Sequence, residues 1–184
     1  MSYITTISGK HFDPVEPEEA LIDIKDIAHS LSLVCRGNGH VKHFYSVAQH
    51  SIACAREAQA RGCSNTVVLA CLLHDASEAY LSDVTRPVKK DLTYYLEVED
   101  RLQHLIWRHF IGRDITADED RQVFAIDDDM MSMEFHLNMA ETINEDYKRL
   151  VRVIDCAYED PAKVEAEFLK LFQSLVSRSL GLPI

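Results

Sequence analysis

Long apolar runs and net positive charge are both scarce in this 184-residue chain. The longest uninterrupted apolar stretch is VVLACLL, far short of the about 20 residues that a membrane-spanning helix requires. The opening MSYITTISGKHFDP has neither the basic start nor the apolar middle of a secretion signal. The expectation is a cytoplasmic protein with no membrane partner. Lys and Arg number 19 against 30 Asp and Glu, a formal net charge of -11. That balance argues against a sequence-independent grip on a nucleic acid polymer, which needs a broad cationic surface. Any phosphate ligand must therefore meet a local cluster of positive charge. Cys35, Cys54, Cys63, Cys71 and Cys156 are odd in number and lack CxxC spacing, so neither a disulfide framework nor a zinc ribbon is expected. Most of them read as small buried apolar residues. Repeats, low-complexity tracts and linkers are absent too, and the length fits one domain over residues 1–184.

What is present is helical pattern. After an irregular arm over residues 1–22, Asp23 or Asp26 caps a helix through IAHSLSLVC, which ends before the RGNGH turn. Ser46 caps VAQHSIACAREAQAR, closed by Gly62, and Ser64 caps NTVVLACLLHDASEAY, whose composition reads as one buried helix. Pro87 sits in a loop, and an amphipathic segment runs from about Leu92 to Phe110 and stops at Gly112. Thr116 with Glu119 spells a capping box for a helix through VFAIDDDMMSMEFHLNM. Asp160 and Pro161 form an N-cap and N1 pair for the last helix, about residues 161–179, ending near Gly181. The fold class is all-α, a bundle of roughly six or seven helices.

The titratable residues fall awkwardly on those helices. Val47 and Cys54 flank His50 at helical spacing and turn it toward the core; taken alone, it reads as a structural histidine. His74 and Asp75 interrupt the most apolar helix, where an unpartnered ionised carboxylate would cost several kcal/mol. Glu78 follows within about one turn, which increases the demand for a cation. A third helix sets Asp127, Asp128 and Asp129 beside the apolar stripe of Val123, Ile126 and Met130, so at least one of the run is expected to face inward. Two neutral imidazoles and two carboxylates from three helices suit a divalent first-row metal. The metal site and its surroundings lie within residues 36–134.

The order His50, His74-Asp75, Asp127 resembles the HD-domain phosphohydrolase superfamily, whose members are all-helical metalloenzymes. RGNGHVKHFYSVAQHS, LLHDASEAYLSDVTRPVK and the aspartate seven residues before Glu134 are similar to one subgroup. That subgroup comprises the bacterial deoxynucleoside 5'-monophosphatases and the phage dATP triphosphohydrolases. The resemblance covers most of residues 5–135. It implies that His50, His74, Asp75 and Asp127 bind the metal and that Glu78 and Asp83 act on the attacking water or the leaving group. It also implies that Arg36 holds phosphate while Pro87 and Lys89 touch the nucleotide. Two departures stand out: Phe124 occupies a position where relatives often carry lysine, and GNG follows Arg36 where relatives are bulky.

A divalent ion, Mn, Co, Zn or Mg, would polarise phosphate or activate water, and Arg36 would grip phosphate oxygens bidentately. The expected activity is hydrolysis of deoxynucleoside phosphates by a homo-oligomer, as a dNTP triphosphohydrolase with dATP favoured or as a 5'-monophosphatase. Each residue has a plainer reading: Arg36 and Lys89 as solvated charges, Glu78 as a partner of Arg86, Asp83 as a turn cap, and Asp128 and Asp129 as facing solvent or supporting the metal ligands from behind. Two other functions fit the same residues. One is an HD-fold di-iron oxygenase, which would recruit His104 and His109; the other is a nucleotide-binding HD protein without turnover.

Overall fold

The computed structural model describes residues 3–139 and 150–179. Its helices are α1 (Ile24–Leu33), α2 (Val47–Ala60), α3 (Asn65–Leu73), the single turns α4 (Glu78–Leu81) and α5 (Arg86–Lys89), then α6 (Thr93–Ile111), α7 (Ala117–Asn138) and α8 (Pro161–Ser179). The architecture is a helical bundle, as the patterning predicts. The caps are largely the expected ones. Asp23, rather than Asp26, accepts from the Lys25 N–H; Ser46 and Thr116 form capping boxes with Gln49 and Glu119; Asp160 accepts from the Ala162 N–H. Gly112 closes α6 in the left-handed conformation at φ 86°, where a Cβ would be strained. The expected stop at Gly181 lies outside the described residues.

α3 is the centre of the bundle. Every residue from Val67 to Leu73 is buried, as befits a helix that is apolar all round. It packs on α2, α7 and α8, while α1 lies along α2 and α8. Leu72 and Leu73 are fully buried, each contributing about 2 kcal/mol by leaving water. Among the described residues no helix is long and apolar enough to cross a membrane.

Four local expectations are corrected. The irregular arm contains a short hairpin, Ile4–Thr5 paired antiparallel with His11–Phe12, and the 3-10 turn Glu19–Leu21. Phe12 is fully buried and stacks on Tyr80 at 4.1 Å, while Asp26 accepts from the Ser8 N–H and hydroxyl; these two contacts give the arm its order. The helix expected to run from residue 65 through Tyr80 breaks at His74–Ser77. There the bonds tighten to i→i+3, with Ala76 N–H on Leu73 O and Glu78 N–H on Asp75 O, both at 3.0 Å. Pro87 is not in a loop but inside the turn α5, where a proline near the N-terminus fits because its missing N–H has no helical partner. Asp129 does not face solvent: it is buried and paired at 3.0 Å with Arg61, the residue that follows α2.

Candidate metal centre and substrate cleft

The capping box at Ser46 starts α2 so that His50 falls on its inner face, fully buried. The break after α3 places His74 and Asp75 opposite it. Gln103 of α6 holds that break by donating to Leu73 O at 2.8 Å and accepting from Ser77 N–H at 3.1 Å. It thereby satisfies the Ser77 N–H that the interrupted helix leaves over and adds a second donor to the Leu73 carbonyl. Asp127 comes from the middle of α7, at the edge of the stripe whose Val123, Ile126 and Met130 are buried.

The four side chains converge. His50 Nε2 lies 3.2 Å from His74 Nε2 and 3.1 Å from Asp127 Oδ1, and His74 Nε2 is 3.6 Å from the same oxygen. Asp75 Oδ2 is 3.3 Å from His74 Nε2 and 3.8 Å from His50 Nε2. The outer nitrogens decide the tautomers. His50 Nδ1 donates to the Glu134 carboxylate at 2.9 Å and His74 Nδ1 donates to Cys71 O at 2.8 Å, so both neutral rings turn a lone pair inward. Two ring lone pairs and two carboxylate oxygens thus face one another. Such packing is favourable only around a cation, and the donor set fits a divalent metal.

The electrostatics call for positive charge at the same point, which a ring proton or a metal ion can supply. Burial lowers the His74 pKa, but Asp75 and Asp127 outweigh it and hold the imidazole well above its ordinary value. Burial raises Asp127, yet hydrogen bonds from His50 and His74 keep it far below the usual carboxylate range. Asp75 is likewise held low against burial, by His74, Arg36 and His50. Cys54, one turn after His50, belongs to the same cluster: His50, Cys54, His74 and Asp127 each offer a donor atom within 4.8 Å of the others.

A cavity of about 520 Å³ opens beside this centre; Arg36, Arg86 and Lys89 line it together with the carboxylates of Asp75, Glu78, Asp83 and Asp127, and Pro87, Met131 and Phe135 are among its apolar lining. Arg36 is not a solvated surface charge, since its side chain is only 11% exposed. Its guanidinium lies 3.4 Å from Asp75, 3.9 Å from Glu134 and 4.0 Å from Asp83, and its Nε has no partner. Burial opposes the charge, but Glu134, Asp75 and Asp83 raise its pKa further above an already high value. Asp83 accepts from the Gly37 N–H at 3.3 Å, which ties the Arg36 turn to the cleft. Glu78 is buried and its Oε2 is unpartnered; burial, then Asp75 and Asp83, push its pKa well up. Lys89 pairs with Glu99 at 2.6 Å and reaches Glu78 at 3.8 Å.

Arg86 does not pair with Glu78. It bridges Asp127 Oδ2 at 3.0 Å and Asp128 Oδ1 at 2.7 Å, with its guanidinium 5.9 Å from the Phe124 ring. The cation nearest the last aspartate therefore arrives from α5, while the α7 position three residues before that aspartate is apolar. His104 and His109 are engaged with other partners. They bond Asp114 and Glu19, so nothing in the geometry supports a di-iron site built on them. Glu134, Tyr45, Cys54 and Arg86 were missed as site residues on sequence grounds. Glu134 left one signal: it lies two helical turns beyond Asp127 and one beyond buried Met130, on the inner face of α7.

The chain belongs to the HD domain family, whose model matches residues 32–176. It is 41% identical over 108 residues to the uncharacterized protein YfdR of Escherichia coli K12, covering 58% of this chain and 57% of that protein. It is 40% identical over 110 residues to an uncharacterized protein of Rhodobacter capsulatus, covering 56% of each chain. The matched region thus spans a little over half the length of these relatives.

Proposed function

We propose that this protein is a metal-dependent phosphohydrolase acting on deoxynucleoside phosphates. It would release triphosphate from a dNTP, with dATP favoured, or orthophosphate from a dNMP. The observation that carries this reading is the set of inward lone pairs from His50 and His74 meeting Asp75 and Asp127 at the mouth of a cleft that also holds Arg36 and Arg86. When bound there, a divalent ion neutralises phosphoryl charge and lowers the pKa of water. Arg36 grips non-bridging phosphate oxygens from a buried position, where a charge-assisted pair is strongest. Lys89 adds a second positive charge beside the phosphate path, and Pro87 walls the nucleotide. Glu78, whose pKa burial and then Asp75 push well up, would give a proton to the departing oxygen; Asp83 would fix the Arg36 turn and orient water. Met131 and Phe135 offer an apolar wall to the nucleoside. Formation of a homo-oligomer is part of the same proposal, and light scattering on the purified protein reads it.

The test is product analysis across all dNTPs and dNMPs with Mn, Co, Zn and Mg in turn. The expected result is triphosphate or orthophosphate from at least one substrate, with loss of that product in Asp75→Ala. Full turnover by Asp75→Ala would overturn the assignment. Tight nucleotide binding without any product would leave the non-catalytic binding protein in its place.

A further inference from the structure

Among the described residues only Asn38 and Ser82 combine a side chain with a positive φ. Asn38, at φ 53° and ψ 28°, lies in the left-handed region that asparagine tolerates. Ser82, at φ 70° and ψ 158°, lies in a region essentially reserved for glycine, where a side chain strains the backbone. Such a conformation persists only when its surroundings hold it. Here both ends of the residue are held: its N–H donates to Glu78 O at 2.9 Å, and its carbonyl accepts from the Tyr95 hydroxyl of α6 at 3.0 Å. The next residue is Asp83, whose carboxylate accepts from the Gly37 N–H at 3.3 Å and lies 4.0 Å from the Arg36 guanidinium. A relaxed, negative φ at Ser82 would rotate the following chain through well over a right angle and carry Asp83 off the Arg36 turn.

We propose that Tyr95 is a positioning residue for Asp83: its hydroxyl holds Ser82 in a conformation that only glycine adopts freely, and so keeps the Asp83 carboxylate on the Arg36 turn. The inference rests on the role given to Asp83 in the proposed function, but the placement it explains can be measured without turnover. The Tyr95 hydroxyl has one proton and two acceptors in reach, since Glu99 Oε1 lies 3.2 Å away. The Ser82 carbonyl is the nearer, and Glu99 has Lys89 at 2.6 Å as its own partner. Burial, then Glu99, push the Tyr95 pKa further above its ordinary value, so the phenol keeps the proton that it donates.

Four full-length proteins test this: wild type, Tyr95→Phe, Ser82→Gly and the double variant. Ser82→Gly is expected to raise the urea midpoint, because relief of strain outweighs the extra freedom of glycine in the unfolded chain. Ser82→Ala, which keeps the strain, leaves the midpoint near the wild-type value. Tyr95→Phe is expected to shift the Gly37 amide resonance in the direction that loss of its acceptor shifts it in Asp83→Ala, and to lower kcat by about tenfold or more. In the double variant, where glycine takes the conformation unaided, both readouts return toward wild type; a hydroxyl with a merely structural role would show no such rescue. A Ser82→Gly midpoint at or below that of the wild type would overturn the strain and the proposal with it. A Gly37 resonance unmoved in Tyr95→Phe would overturn the role of Tyr95. Should no substrate be turned over, the proposed function fails, while the midpoints and the Gly37 amide still decide this inference. If Tyr95→Phe does not fold alone, recovery in the double variant is the expected rescue, and failure of both would overturn the proposal.

Discussion

Glu134 serves two parts of the site at once. Its buried carboxylate accepts from His50 Nδ1 at 2.9 Å and from the Tyr45 hydroxyl at 2.8 Å, with the Arg36 guanidinium 3.9 Å away. It fixes the ring orientation and tautomer of His50 and lends negative charge to Arg36. A carboxylate that orients a metal-binding histidine is typically worth 10–100-fold in metal affinity. Glu134→Gln is therefore expected to weaken metal binding by about that factor, read by calorimetric titration of the chelator-treated protein. An unchanged affinity would reduce Glu134 to a packing role. His50, His74 and Asp75 were legible as titratable groups set among apolar neighbours. Glu134 and Asp129 were not, because the partners that each of them meets lie far away in the sequence: His50 and Tyr45 for the first, Arg61 for the second.

At the scale of the element, the break between α3 and α4 is what delivers His74 and Asp75 to the centre. Composition cannot reveal it, since α-helical and i→i+3 turns share nearly the same backbone region and LLHDASEAY suits both. The deciding group is Gln103, 26–30 residues away. Gln103→Leu leaves the Ser77 N–H buried without a partner and removes one of the two donors to the Leu73 carbonyl. This variant is expected to lose about 1–3 kcal/mol by urea denaturation and to lose turnover through displaced His74 and Asp75. A fully stable and active Gln103→Leu would show that the turn holds itself. The α7 start is simpler, because its capping box is written in the local sequence. There Glu119 pairs with Arg113, and that pair lowers its pKa from 4.5 to about 2. A depressed carboxylate stabilises the fold above its unfolded value and ceases to do so as pH falls through its folded value. The stability gap between wild type and Glu119→Gln is accordingly present near neutral pH and shrinks between about pH 4.5 and 2. Urea melts across that range check it; a gap that widens on acidification contradicts it.

For the whole molecule, the net charge of -11 and the local chemistry at the centre form one picture. Even the cleft that collects Arg36, Arg86 and Lys89 is lined by Asp75, Glu78, Asp83 and Asp127, so the charge that would draw an anion there has to come from a metal ion as well as from the three cations. Helix order and most caps were legible because capping residues and apolar spacing act locally. The hairpin of residues 4–12 was not, since its order depends on Phe12 reaching Tyr80 and Ser8 reaching Asp26. Convergence of three helices is likewise a property of packing: the pattern showed inward faces, and only the fold shows that they meet. The most direct measurement of that meeting is anomalous diffraction from crystals soaked in manganese or zinc. The account requires one strong peak bounded by His50 Nε2, His74 Nε2, Asp75 and Asp127. A peak elsewhere, or none with these four groups still in place, would contradict it.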